Sequence, residues 1–137
     1  MSYLNFVLVL AGVLLNAVAQ LFLKSGTNAL GSLQILLESE GLISALLKII
    51  FQPWIFGGLI CYVFSVTIWI VALSRIPVSV AYPMLSIGYV VNAVAAWYLF
   101  GEILSAQKIF GIGIIIIGVY IISKSFIKKT YHSRRWR

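Results

Sequence analysis

The chain has 137 residues, of which 62% are hydrophobic and 9% are charged, and its mean hydropathy is +1.08. Soluble domains are about half apolar and about a quarter charged, so these proportions exclude a soluble globular enzyme and a disordered chain. Ten basic residues against three acidic ones give a net charge of +7, and most of the basic residues lie near the C-terminus. A single cysteine, Cys61, excludes an internal disulfide and a cysteine metal cluster. The composition predicts a one-domain, all-α integral membrane protein.

Four segments are apolar enough to be transmembrane helices, which need about 20 residues each. They cover residues 4–23, 54–73, 78–100 and 107–127. The fourth is the shortest apolar run, because it is bounded by Lys108 and Lys124, whose side chains can snorkel to the interface. The first contains Ala17-Val18-Ala19, which is typical of a signal-peptide cleavage site. No basic residue precedes it and apolar sequence follows, so an uncleaved helix is the better interpretation.

The loop at residues 24–53 is polar at first and then amphipathic. Residues 42–51 are too short to span a membrane, and they predict a helix that lies at the interface, with residues 33–37 as a second such piece. An ordinary extramembrane hairpin of helices explains the pattern equally well. Four residues predict a turn before these helices, namely Gly26, Asn28, Gly31 and Ser32.

Basic residues beside the spans predict the orientation in the membrane. With four spans, both termini and the loop with Arg75 share one side, which carries seven basic residues. The other side carries three, Lys24, Lys48 and Lys108, together with all three glutamates. Both termini are therefore predicted to be cytoplasmic, including the basic tail at residues 128–137. Juxtamembrane basic segments bind anionic lipids, which we favour over RNA as the partner of this tail.

Polar residues inside the first span are candidate substrate contacts, because placing them in lipid costs free energy. Asn16, Gln20 and Lys24 follow one another at intervals of four and so share one helix face. Two amides that lead to an ammonium suit the phosphate or sugar of a lipid headgroup. A tight contact between helices is the alternative interpretation.

The third span carries a row of hydroxyl groups at spacings of three and four residues. Pro83 interrupts this row and frees the carbonyl of Ser79, so the face is predicted to line a cavity or to pack between helices. Asn92 points away from the row and is predicted to pack. Tyr62 and Trp69, with Ser65, form a weaker wall on the second span. The row consists of Ser79, Tyr82, Ser86 and Tyr89.

Two glycines of the fourth span, Gly111 and Gly118, are two helical turns apart and predict close packing between protomers. No carboxylate pair, metal-ligand spacing or nucleophile–base set occurs in the sequence. We therefore predict that the chain is not an enzyme and needs no metal or cofactor.

Several stretches resemble the drug/metabolite transporter superfamily in its four-helix, EamA-like branches. The resemblance rests on Ala72–Ser86, on Phe100-Gly101-Glu102, on Gly111–Gly118 and on Ala19-Gln20 followed by Lys24. Small multidrug resistance transporters of this superfamily have a glutamate in the first helix, where this chain has Asn16. An amide does not release a proton at physiological pH, so the resemblance does not imply the usual proton–drug antiport.

The chain is more similar to the paired subunits that are proposed to flip aminoarabinose-phosphoundecaprenol across the bacterial inner membrane for lipid A modification. This resemblance implies an undecaprenyl-phosphate-linked sugar, or a related lipid, as substrate. The phosphate is then expected at Lys24 or Arg75, and an amino sugar is attracted by Glu38 or Glu40. The remaining sugar contacts are expected at Asn16, Gln20, Tyr82 and Ser86.

Four helices enclose a large headgroup poorly, so we expect a dimer. The uneven distribution of basic residues argues against an inverted homodimer. A heterodimer with a related four-helix subunit is favoured, and a parallel homodimer is the alternative. Two other functions stay open at this point, an exporter of small cations and an accessory membrane subunit that transports nothing.

Overall fold

The computed structural model describes residues 3–133 of the chain. Of the predicted basic tail, Arg134, Arg135 and Arg137 lie outside the described residues, as do the side chains of Lys128 and Lys129. Six α-helices occupy the described range. They are α1 (Tyr3–Leu30), α2 (Leu33–Glu40), α3 (Leu42–Phe51), α4 (Pro53–Leu73), α5 (Val78–Phe100) and α6 (Ala106–Ser133).

Within residues 3–133, three helices are long and apolar enough to cross a membrane, namely α1, α4 and α5. Their outward faces expose large apolar side chains, such as Val63, Phe64 and Ile70 on α4. Such faces need lipid rather than water around them, which confirms the prediction of an all-α membrane protein. The apolar part of α6, Ala106–Ile122, is shorter than the other three spans, so a fourth span at residues 107–127 stays a prediction.

Helix α1 lies at the centre and packs most extensively against α4, which runs antiparallel to it. Small residues allow this close approach. Gly26 near the end of α1 faces Ile55 near the start of α4, and Gly12 faces Ile68 near the end of α4. The buried Ser65 hydroxyl donates a hydrogen bond of 2.9 Å to the Gly12 carbonyl and joins the two helices midway.

Helix α5 runs parallel to α1 and packs on its other flank. Val9 and Val13 of α1 form a buried cluster with Val80, Ala81 and Met84 of α5, and the end of α4 completes it. Helix α6 packs against α5. The order in space thus places α1 between α4 and α5.

The predicted turn at residues 26–32 is wrong at its first two positions, because α1 continues through Gly26 and Asn28 to Leu30. Gly26 is buried against Gln52 and Ile55, where a β-carbon would collide, so packing requires this glycine inside the helix. The chain turns instead at Gly31, whose φ of 75° favours glycine, and Ser32 caps α2.

Helix α3 coincides with the predicted segment 42–51. It exposes most of its large apolar side chains, and only Ala45 is buried. Its helical state is confirmed, and its place at the membrane interface stays a prediction.

Candidate functional site

A cleft of about 420 Å³ lies between the parallel helices α1 and α5, and we call it the α1–α5 cleft. The two helices approach closely beside it, since a β-carbon at Gly88 would lie 3.1 Å from Val13 Cγ1. Ala17 and Gly88 leave room that larger side chains would fill. Helix α1 contributes Val13, Asn16, Ala17 and Gln20 to the lining, and α5 contributes Leu85, Gly88, Tyr89 and Asn92.

Asn92 lies beside the row of hydroxyl groups, on the face of α5 that packs against α1, and it also lines this cleft. Its Oδ1 atom is buried and has no hydrogen-bond partner among the described residues. Asn92 follows Leu85 by seven residues and Gly88 by four, so all three share the face of α5 that meets α1. The spacing of Asn92 from Leu85 and Gly88, and not its distance from the row of hydroxyl groups, indicates that it faces α1.

Asn16 and Gln20 of the α1 row lie together in the cleft, whereas Lys24 does not line it. One turn beyond Gln20, the Lys24 ammonium forms an ion pair of 3.8 Å with Glu102, which lies just after α5. Both side chains are about half exposed, at 50% and 45%. The charged end of the α1 row therefore lies at the rim of the cleft, and its two amides lie further inside, between α1 and α5.

The hydroxyl row of α5 is divided by the structure. Tyr89 lines the cleft beside Asn92. Tyr82 instead meets Trp69 of α4 edge to face, with ring centroids 6.1 Å apart. Ser79 is exposed, Ser86 is half-buried, and Tyr62 is exposed on α4; none of these three lines the cleft.

The loop carboxylates lie on the α2–α3 hairpin, which comprises residues 33–51. Glu38 accepts a hydrogen bond of 3.2 Å from Gln34 Nε2, one turn before it in α2. Glu40 forms an ion pair with Lys48 and so joins α2 to α3. Arg75 is exposed between α4 and α5, at the opposite end of the helices from Lys24.

The glycines predicted for dimer packing lie on an open side of α6. Among the described residues, no heavy atom comes within 4 Å of a β-carbon built at Gly111 or Gly118. The part of α6 around them contributes no side chain to the α1–α5 cleft.

The α1–α5 cleft combines three amide side chains and one phenol with apolar walls. Amides donate and accept hydrogen bonds without net charge, and a tyrosine adds one hydroxyl. Such a set can form hydrogen bonds with a polyhydroxyl or amino-bearing group that offers donors and acceptors on several sides. Within the described residues, no group of three or more histidine, cysteine, aspartate or glutamate side chains could hold a metal ion.

Comparison with known proteins shows which proteins this chain is similar to. A family model described as Small Multidrug Resistance protein matches residues 39–115. The chain is 39% identical to the probable 4-amino-4-deoxy-L-arabinose-phosphoundecaprenol flippase subunit ArnF of Proteus mirabilis, over 90% of this chain and 94% of that protein. It is 36% identical to the ArnF subunit of Shewanella sediminis, over 89% of each chain.

A second kind of relative bears the same name with a different subunit label. The probable flippase subunit ArnE of Klebsiella pneumoniae is 35% identical over 53% of this chain and 64% of that protein. No solved structure matches the chain. From the family match over more than half of its length and from relatives aligned nearly end to end, the chain belongs to the Small Multidrug Resistance protein family.

Proposed function

We propose that this protein is one subunit of a flippase that moves an undecaprenyl-phosphate-linked sugar, of the aminoarabinose kind, across the bacterial inner membrane. The observation that carries the proposal is the α1–α5 cleft, which holds Asn16, Gln20 and Asn92 between two membrane-spanning helices. Polar side chains at such a depth cost free energy unless they are hydrogen-bonded, and in membrane spans they often mark the path of a polar substrate. The names of the relatives supply the chemical class of that group.

The headgroup is proposed to bind with its sugar in the cleft and its phosphate at Lys24. Gln20 precedes Lys24 by one helical turn, about 6 Å along the axis, and Asn16 precedes it by about 12 Å. A sugar phosphate matches that arrangement, since the ring meets the amides while the anion meets the ammonium. Tyr89, at the side of the cleft, adds a ring face and a hydroxyl.

The ion pair between Lys24 and Glu102 is compatible with phosphate binding. Its 3.8 Å separation and its half-exposed partners make it a weak pair in the absence of substrate. A phosphate forms stronger, charge-assisted hydrogen bonds to an ammonium than a distant carboxylate does. Arg75, at the opposite end of the helices, is proposed to receive the phosphate after translocation.

The membrane arrangement proposed for this function has four spans, with both termini and Arg75 in the cytoplasm. The seven-to-three distribution of basic residues supports a single orientation for every copy. Four helices form only one wall of a large path, so a second subunit is proposed to complete it. The open glycines of α6, Gly111 and Gly118, are the proposed contact, and a related four-helix chain is the proposed partner.

The proposal is tested by reconstitution in vesicles, with labelled aminoarabinose-phosphoundecaprenol and any subunit that copurifies. We expect faster appearance of the lipid in the opposite leaflet with protein than without it. Lys24→Ala is expected to slow that movement about tenfold, because the phosphate loses its charged partner. Lys108→Ala is the matched control, since this exposed lysine belongs to the same end of the helices and its ammonium, among the described residues, donates to the nearby Ile103 carbonyl.

Two results of this experiment would contradict the proposal. One is no acceleration by the wild-type protein with its copurifying subunit. The other is a proton flux that depends on added cationic drug, which would favour export of small cations, the function suggested by the family name. Asn16 makes the second result unexpected, because an amide has no proton to exchange at neutral pH.

A further inference from the structure

Asn92 lines the α1–α5 cleft, and its side chain carries an unsatisfied hydrogen-bond acceptor. Its Oδ1 atom is buried and is without a partner among residues 3–133. Folded proteins pair nearly all such atoms, because a buried polar atom without a hydrogen bond loses its water contacts and gains nothing in return. An unsatisfied atom of this kind needs a partner that the described residues do not supply, such as a group of a bound ligand.

The surroundings of Asn92 indicate which group is missing. The side chains that line the cleft with it are apolar, amide or phenolic, and none of them is a cation. An anionic phosphate would find no charged partner there, and its oxygens would repel the Oδ1 acceptor. A hydrogen-bond donor, either a hydroxyl or an ammonium, satisfies the Oδ1 atom directly.

Asn92 of α5 and Asn16 of α1 lie at about the same height along the two parallel helices. Asn16 precedes Lys24 by eight residues in α1, and Asn92 precedes Phe100 by eight residues in the parallel α5. The ion pair of Lys24 with Glu102 links the same end of both helices. Both asparagines therefore lie about 12 Å inside the charged rim, on opposite walls of one cleft.

We propose that Asn92 is a specificity-determining residue, whose Oδ1 accepts a hydrogen bond from a hydroxyl or ammonium group of the sugar. This inference rests on the proposed function and extends it. Lys24 holds the phosphate that every polyprenyl phosphate carries, whereas Asn92 recognises the sugar that only the glycosylated lipid carries. The protein thereby distinguishes a loaded carrier lipid from the bare one.

The inference is tested by binding of two lipids to the full chain, with any copurifying subunit, in nanodiscs of phosphatidylethanolamine and phosphatidylglycerol. The probes are aminoarabinose-phosphoundecaprenol and undecaprenyl phosphate without a sugar. The wild type is expected to bind the glycosylated lipid about tenfold more tightly, as one buried hydrogen bond allows. Asn92→Leu, of similar size, is expected to remove that preference while the affinity for undecaprenyl phosphate stays unchanged.

Two further variants complete the design. Asn92→Asp keeps the acceptor oxygens and is expected to keep the preference. Asn28→Leu changes an exposed asparagine near the end of α1, away from the cleft, and is expected to behave as the wild type. Thermal unfolding in the same nanodiscs checks that every variant is folded.

The possible failures are distinguishable. If Asn92→Leu keeps the preference, or lowers the affinity for both lipids equally, Asn92 has only a packing role and the inference is overturned while the proposed function stands. If the wild type does not bind the glycosylated lipid, the proposed function itself is overturned, and the inference with it.

Discussion

At the scale of single residues, the Ser65 hydroxyl is the clearest polar contact between two spans. It is buried and donates to the Gly12 carbonyl at 2.9 Å. We expect Ser65→Ala to lower the free energy of unfolding in detergent by about 1 kcal/mol, as typical for such bonds within membranes. Thr67→Val is the control, because the exposed Thr67 hydroxyl bonds Val63 within its own helix. Equal losses in the two variants, measured by thermal denaturation, would contradict this assignment.

Single residues also show where prediction from sequence ends. The four-residue spacing of Asn16 and Gln20 places both on one face of α1, and the structure brings both into the cleft. For α5 the same rule identifies a row of hydroxyls, yet α1 packs on a neighbouring face that holds Gly88 and Asn92. Spacing tells which side chains share a face, but the choice of face depends on a partner that is distant in sequence.

At the scale of helices, the contact of α1 with α4 depends on Gly58. A β-carbon there would lie 3.1 Å from both the Ala19 carbonyl oxygen and Phe22 Cβ, so a side chain would push the backbones apart. We expect Gly58→Ala to cost about 1–3 kcal/mol of unfolding free energy. Gly57→Ala is the control, since its β-carbon would lie at an ordinary 3.4 Å from the Phe22 ring. Urea denaturation in micelles measures both, and similar losses would refute the role of Gly58.

The ends of the helices were only partly predictable. A proline suits the first turn of a helix, and α4 begins at Pro53; the structure adds that Gln52 is its cap. At Gly26 the prediction from sequence is wrong: a glycine near polar residues is typical of a turn, but α1 continues through it. A glycine is needed there because a β-carbon would collide with Ile55 of α4, and local sequence does not reveal this contact.

At the scale of the whole molecule, the predicted orientation places the α2–α3 hairpin and Ser74 on opposite sides of the membrane. In a Cys61→Ser background, we expect an impermeant maleimide to label Ser39→Cys in intact spheroplasts and to label Ser74→Cys only after lysis. Ser133→Cys, at the end of α6, is expected to behave like Ser74→Cys, because a fourth span returns the chain to the cytoplasm. Labelling of Ser133→Cys before lysis would show that α6 does not cross.

The unequal lengths of α1 and α4 bear on the predicted depth of the α2–α3 hairpin in the membrane. With 28 residues α1 is about 42 Å long, whereas the 21 residues of α4 give about 32 Å, close to the hydrocarbon thickness of about 30 Å. Gly26 of α1 is level with Ile55 near the start of α4, so the last turn of α1 projects beyond its neighbour. That turn separates Gly31 from the start of α4. We therefore expect the hairpin at the level of the phosphate groups of the bilayer, with the apolar side chains of α3 toward the lipid tails and with Glu40 and Lys48 in water.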